Sequence, residues 1–483
     1  MKRLPCLLAV VFVLSAALRA EEYEPQTFGA PDGRSIPYRL LKPQDYENSR
    51  QYPLVVFLHG AGERGTDNQA QLKHCVSAFA RPEVRKAHPC FVMVPQCPPQ
   101  QQWVDMPWSG DSGTQPAEPS APLQLVLGAV AALQQEFSID PDRLYLSGIS
   151  MGGFGTWDAI TRDPGKWAAA APICGGGDKR VAARAAKVPV WAFHGTADNA
   201  VKVVRTRDMI EAMKAGGGRP LYSEYPNVAH DSWTPAYQEP ELLPWLFAQR
   251  RGQAPVPFAR VAPAHAQPPS SEFPGAGPVQ PGIWFRALWR QRREQWSRDA
   301  AKDQGAIVFF GDSITQGWNS LANDFPESKV ANRGLSGDTT RGLRFRVSED
   351  VLAVKPRAVS MLIGTNDLAL GAEPELVAGN IKAVVAELRA ADARMPVVIN
   401  KVMPRGRQPG RFPERIQELN ALLEIAFRND PQITFCDTWS IFDDGTGVCK
   451  KEEFPDMLHP NAAGYAKWRS ALAPILEGLK RAP

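Results

Sequence analysis

Residues 144–153 read Leu-Tyr-Leu-Ser-Gly-Ile-Ser-Met-Gly-Gly, and this stretch decides how the first half of the chain folds. Residues 144–147 form a short apolar run of strand length. The run leads directly into Gly148-Ile149-Ser150-Met151-Gly152, a G-x-S-x-G segment, followed by a helix-compatible run at residues 155–161. A tight strand-to-helix turn strains the residue at its apex, and glycines on either side let the chain pass closely. The helix N-terminus beneath it favours developing negative charge. This context makes Ser150 a candidate nucleophile rather than part of an ordinary glycine-rich turn.

Working outward, residues 54–58, 91–94 and 190–193 read as buried strands, and 222–225 as another short one. Residues 123–137 and 203–215 between them are helix-compatible. The alternation predicts a mostly parallel sheet with helices on both faces. A serine hydroxyl needs a base, and the base needs an orienting acid. In the order Ser, Asp, His, the candidates are Asp198, after the strand at 190–193, and His230, after the strand-like run at 222–225. Asp231 competes with Asp198, but its adjacency to the histidine gives poor geometry. The oxyanion donors are expected to be the Met151 N–H and the Ala61 N–H, with Gly62 the alternative, from Leu58-His59-Gly60-Ala61-Gly62-Glu63. His59 falls in the wrong order for a base and is read as a structural hydrogen-bonding residue. Trp103, Trp108 and Trp233 are either a ring-stacking platform near this site or core residues.

The second half repeats the alternation, with strands expected at 307–310, 359–363 and 397–400 and helices at 375–389 and 413–428. Phe309-Phe310-Gly311-Asp312-Ser313-Ile314 places a serine just after a strand. Downstream follow Asn332-Arg333-Gly334-Leu335-Ser336-Gly337-Asp338, Gly364-Thr365-Asn366-Asp367 and Asp456-Met457-Leu458-His459. Their chemistry is coherent. Ser313 is the candidate nucleophile, His459 its base, and Asp456 the orienting acid reached from the same turn. The Ser313 N–H, the Gly337 N–H and the Asn366 amide are the expected oxyanion donors.

These motifs carry two resemblances. The Leu58–Gly65 segment, the Gly-Ile-Ser-Met-Gly-Gly turn and Ala229-His230-Asp231-Ser232-Trp233 resemble the feruloyl-esterase and polyhydroxybutyrate-depolymerase-like group of α/β-hydrolases, over roughly residues 24–250. That resemblance implies an esterase acting on acyl groups of polymers or oligosaccharides; peptidases of the prolyl-oligopeptidase type are also relatives. The blocks around Ser313, Gly337, Asn366 and His459 resemble the SGNH (GDSL) hydrolases over roughly residues 283–479, with Gly-Asp-Ser-Ile in place of the named motif. The region at 284–310 resembles the acetylhydrolase-like branch, which implies removal of acetyl groups from sugars. The expected fold is therefore α/β: an α/β-hydrolase sheet, then a flavodoxin-like three-layer α/β domain.

The 483 residues suggest two or three domains. The expected division is a signal peptide at 1–20, an α/β-hydrolase domain at 21–251, a Pro-rich linker at 252–282 and an SGNH domain at 283–483. Lys2 and Arg3, the apolar run at 4–18 and a Leu-Arg-Ala triplet ending at Ala20 carry the signal reading, and with it secretion to periplasm or exterior and no membrane span after cleavage. Prolines in 252–282 deny helix and ladder bonding, so an extended, semi-rigid linker is expected there. The net charge of +4 is mild and the bases are scattered, which speaks against nucleic acid. The bases at 286–298 alternate with Trp289 and Trp296 as in an amphipathic helix with buried tryptophans. Six cysteines follow the signal, without paired CxxC spacing, and HExxH is absent, so no metal or other cofactor is expected. Cys436 with Cys449 could form a local bridge. The function expected is a secreted serine esterase with two sites, removing feruloyl and acetyl groups from an acylated polysaccharide such as xylan. An N-terminal peptidase, or a domain reduced to glycan binding, are the alternatives.

Overall fold

The computed structural model describes residues 22–406 and 412–479. The expected signal peptide, residues 1–20, lies outside the described residues. The chain divides into two compact units, Met1–Ala262 and Pro263–Pro483.

The first unit is built on an eight-stranded sheet of order β1-β2-β4-β3-β5-β6-β7-β8. The strands are β1 (Glu24–Gly29), β2 (Ser35–Leu41), β3 (Tyr52–Leu58), β4 (Phe91–Pro95), β5 (Ile139–Ile149), β6 (Ala169–Ile173), β7 (Trp191–Gly195) and β8 (Leu221–Tyr225). The β1–β2 and β2–β4 pairs are antiparallel and the rest of the sheet is parallel. Buried on both faces, β3 and β4 expose no residue, as crossover-connected strands require. Strand β6 was not expected. Its Ala-Ala-Ala-Pro-Ile sequence is weak in β propensity, and the strand runs close beside the helix that precedes it in the chain. A Cβ on Gly153 of that helix would lie 2.6 Å from the Ile173 carbonyl oxygen. Helices α1 (Ala121–Glu136), α2 (Met151–Arg162) and α3 (Val204–Ala215) cover the expected stretches.

The second unit has a five-stranded, wholly parallel sheet, β9 (Ile307–Gly311), β10 (Val330–Gly334), β11 (Ala358–Leu362), β12 (Val397–Asn400) and β13 (Ile433–Cys436), in the order β10-β9-β11-β12-β13. In chain order this is 2-1-3-4-5, the flavodoxin-like doubly wound arrangement, with its switch point at β9. Helix α4 (Ile283–Asp299) precedes the sheet and buries Phe285, Trp289 and Trp296. The spacing of these three matches one helical face.

The Pro-rich stretch differs from the extended linker expected. Phe258 is buried edge-on against Trp191 in the first unit, at 5.5 Å between ring centroids. Phe273 and Val279 are buried with Phe285 and Trp289 in the second. Arg341 donates to the carbonyls of Ser270, Phe273 and Gly277 at 2.7–2.8 Å, so the carbonyls that prolines leave without ladder partners are satisfied by a guanidinium. The few apolar residues of the stretch are enough to anchor it. Cys436 and Cys449 lie in one apolar cluster as free thiols, without the bridge considered from the sequence.

Candidate active sites

In the first unit Ser150 lies between β5 and α2 with φ 53° and ψ −118°, a conformation that ordinary residues avoid. The flanking glycines are required by contact. A Cβ at Gly152 would stand 1.9 Å from the Leu58 carbonyl oxygen, and one at Gly148 would stand 2.3 Å from the Gly152 oxygen. The turn thus presses directly against the end of β3.

His230, beyond β8, reaches Ser150 Oγ with Nε2 at 2.9 Å and Asp198 Oδ2 with Nδ1 at 2.7 Å. A carboxylate can only accept, so Nδ1 carries the proton and Nε2 is left to receive one from the serine. The other oxygen of Asp198 accepts the N–H groups of Ala200 and Val201, both at 2.9 Å. Burial pushes the Asp198 carboxyl up, but hydrogen bonds from His194, His230 and the Val201 N–H outweigh it and hold the group well below the usual range.

His194, on β7, was not among the residues expected at this site. It is fully buried, with Nε2 donating to the Val201 carbonyl at 2.9 Å and 3.2 Å from Asp198 Oδ2. Its Nδ1 meets the Thr206 hydroxyl at 2.7 Å. The position four residues before Asp198, at the end of a strand, carries no motif that announces this role.

The oxyanion side comes from the end of β3. The Cβ position of Gly60 lies 3.6 Å from Ser150 Cβ, so Ala61 follows immediately beside the nucleophile. The Ser150 N–H is committed to the Ile173 carbonyl at 2.9 Å. Met151 then offers the first N–H beyond it. His59 is a brace rather than a base. Its Nδ1 donates to the Gly60 carbonyl at 2.6 Å and its Nε2 accepts the Cys97 N–H at 2.9 Å, while burial lowers its pKa to about 4. Of the three tryptophans, Trp103 is core, fully buried and donating to the His59 carbonyl at 3.0 Å. Trp108 packs against the first unit's core and is only partly buried. Trp233 stands edge-on to the His230 ring at 5.3 Å and packs on His74 at 5.5 Å. Asp231 accepts from Thr234 and takes no part in the triad.

In the second unit, Ser313 opens a short helix, α5 (Ser313–Gln316), straight after β9. His459 Nε2 lies 2.8 Å from Ser313 Oγ, and its Nδ1 lies 2.6 Å from Asp456 Oδ2. Asp456 Oδ1 accepts the N–H groups of Leu458 and His459, at 3.0 and 2.7 Å, which fixes acid and base in one turn. Here too burial acts upward, yet those amides and the imidazole bring the Asp456 pKa down to about 2. Three loops converge at the switch point: Ser313 after β9, Gly337 after β10 and Asn366 after β11, in the crevice where such sheets bind ligands.

Gly337 has φ 84°, which suits glycine. One N–H of the Asn366 amide goes to the Asp338 carbonyl at 2.9 Å, leaving the second for an oxyanion. Asp338 is itself pinned by Arg346, Nε to Oδ2 at 2.7 Å, and the same guanidinium donates to the carbonyls of Arg333 (2.9 Å) and Gly311 (3.0 Å). Arg346 thereby ties the Gly337 loop to the strand that carries Ser313. Sequence reasoning missed it, because an arginine eight residues past a motif has no signature. Asp312 and Asp367 are buried as well, and burial raises both carboxyls to about 7. Asp312 caps the Ile314 N–H at 3.0 Å, and Asp367 accepts the Thr340 hydroxyl at 2.6 Å.

Each arrangement can do the same chemistry. The serine Oγ attacks an ester carbonyl as the histidine Nε2 takes its proton; the alcohol leaves with that proton, and water then releases the acid from the acyl-serine. The aspartate stays ionised and steadies the imidazolium.

Residues 309–467 match the GDSL-like Lipase/Acylhydrolase family, and residues 115–238 match the Dienelactone hydrolase family. The chain joins an α/β-hydrolase esterase domain to a GDSL (SGNH) acylhydrolase domain. It is similar to the platelet-activating factor acetylhydrolase IB subunit alpha1 of Pongo abelii, 29% identical over 195 residues, which are 39% of this chain and 82% of that protein. Among solved structures it is similar to a thermostable esterase, at 41% identity, TM-score 0.45, covering 48% of this chain and 64% of that one. A ferulic acid esterase structure shows 15% identity and a TM-score of 0.37, covering 47% of this chain and 97% of the other. Among the described residues, no helix is long and apolar enough to cross a membrane.

Proposed function

We propose that this two-domain esterase is an exported, bifunctional carbohydrate esterase. The α/β-hydrolase domain cleaves feruloyl or similar aryl esters, and the SGNH domain removes acetyl groups from the same decorated polysaccharide, of the xylan type. The observation that carries the reading is the presence of two separate hydrogen-bonded Ser–His–Asp sets, Ser150–His230–Asp198 and Ser313–His459–Asp456. Trp233 beside His230 supports an aromatic acyl group at the first site, since ring faces and edges favour each other. Likeness to the acetylhydrolase named above supports acetyl removal. The signal-like first twenty residues support export, which a polymer too large to enter a cell demands. Joining the two activities on one chain raises the local concentration of each beside the other's product.

The test is hydrolysis of a feruloyl ester and of an acetylated xylo-oligosaccharide by the parent chain, Ser150→Ala, Ser313→Ala and the double variant. Loss of feruloyl release only with Ser150→Ala, and of acetyl release only with Ser313→Ala, supports two enzymes. One substitution abolishing both activities would overturn the bifunctional reading. A parent inactive on both esters would overturn the carbohydrate assignment.

A further inference from the structure

We propose that Trp284 is the stacking platform for a ring on the alcohol side of the ester cleaved at Ser313, so that the SGNH domain selects esters of ring-bearing alcohols. The inference rests on the acyl-transfer reading of Ser313 and deepens it.

Trp284 is the second residue of helix α4 but stands off that helix's buried face. Phe285 and Trp289 are 1% and 0% exposed, whereas Trp284 is 55% exposed and so is its neighbour Ile283. Leaving an indole and a butyl group side by side in water forgoes the burial that stabilises the rest of the helix. The ring is nevertheless held in place. A Cβ at Gly337 would lie 2.7 Å from its Cη2, and a Cβ at Gly282 would lie 2.7 Å from its Nε1. Two glycines thus make room for the indole, and Phe285 supports it edge-to-face at 5.7 Å and 82°. Phe285 in turn belongs to the buried cluster with Trp289 and Phe273. The result is a rigid, half-open aromatic surface resting on Gly337, the oxyanion donor expected from the sequence.

A ring lying on that surface lies beside the Gly337 loop, one of the three that carry Ser313, Gly337 and Asn366. An acetyl group has only a methyl to place and needs no platform. The alcohol portion is the part that can extend over an indole, and a flat ring face, whether the C–H face of a pyranose or an arene, is the chemistry that an exposed tryptophan recognises. The interaction holds the ring in ground state and transition state alike, so it acts on KM more than on kcat.

The experiment uses the full chain carrying Ser150→Ala, so that only Ser313 turns over, with phenyl acetate, ethyl acetate and an acetylated xylo-oligosaccharide as substrates. The readout is the ratio of kcat/KM on phenyl acetate to that on ethyl acetate. Trp284→Ala is expected to lower the ratio about 2- to 10-fold, mostly through KM, and Trp284→Phe to keep most of it. A similar KM rise on the xylo-oligosaccharide places the sugar ring on the indole. A ratio unchanged in Trp284→Ala, including a parallel loss on both simple esters, would overturn the proposal by showing that the indole merely braces Gly337. If the background chain cleaves phenyl acetate with the expected Trp284 dependence but leaves the xylo-oligosaccharide intact, the platform stands and the carbohydrate reading of this domain falls.

Discussion

The Asn366 side-chain amide donates to the main-chain carbonyl of Asp338 at 2.9 Å, joining the loops after β11 and β10 across the mouth of the second site. The bond fixes the amide plane, so the remaining N–H is aimed before substrate arrives. Pre-aimed donors need no reorganisation when charge develops on the carbonyl oxygen. Asn366→Ala is therefore expected to lower kcat at Ser313 by about 100- to 1,000-fold with a far smaller change in KM. Steady-state kinetics on a simple acetate in the Ser150→Ala background would check it. A change confined to KM would remove Asn366 from the oxyanion hole.

Asp338 also depends on Arg346, and both side chains are buried. Removing one partner of such a pair leaves an uncompensated charge, at a cost of about 3–5 kcal/mol. Arg346→Met should accordingly produce a large fall in the thermal midpoint of the second unit. Asp338→Asn with Arg346→Met should recover part of it, because the orphaned carboxylate is then gone. The double-variant cycle, read by thermal unfolding, measures the coupling.

At the first site, His194 is the prediction that separates positioning from packing. It adds a contact to the oxygen of Asp198 that His230 uses, and hydrogen bonds to charged groups are worth about 1.5–3 kcal/mol. His194→Phe should cut kcat/KM at Ser150 by about 10- to 100-fold. His194→Gln, which keeps a donor, should restore a measurable part. Activity on a feruloyl or other aryl ester in the Ser313→Ala background gives the comparison, and equal losses in the two variants would reduce His194 to a packing role.

Asp312 gives a pH test. Its Oδ2 has no hydrogen-bond partner among the described residues, and burial raises its pKa to about 7 in the fold. An unfolded aspartate titrates near ~4, so between about pH 4 and 7 the folded chain retains a proton that the unfolded chain has released. Stability from this group is therefore greatest at the acid end and falls as pH rises through that window. Asp312→Asn keeps an oxygen for the Ile314 N–H and abolishes the titration. The thermal midpoint of the variant relative to the parent should climb from pH 4 to 7 and level off above about 8. A difference that does not vary with pH would refute it.

Much of this protein was legible along the chain. Ser150 and Ser313 stand at strand-to-helix turns whose geometry is set by residues within a few positions, so composition and spacing report them. The base and acid of each set follow in loops after strands, and at 456–459 they share a single turn. The helices at 121–136, 374–391 and 412–427 declare themselves by periodic apolar positions. What only the tertiary structure decided lies between residues that strand order brings together. Strand β6 lies where the Ile173 backbone comes against Gly153 of α2. His194 meets Asp198 through the curve of one loop, and Arg346 reaches Gly311 across 35 positions. The indole of Trp284 rests on Gly337, and Arg341 holds the Pro-rich stretch through the carbonyls of Ser270, Phe273 and Gly277. Local pattern determines backbone conformation over a few residues. A contact between distant residues depends on sheet order and register, which no short stretch of sequence contains.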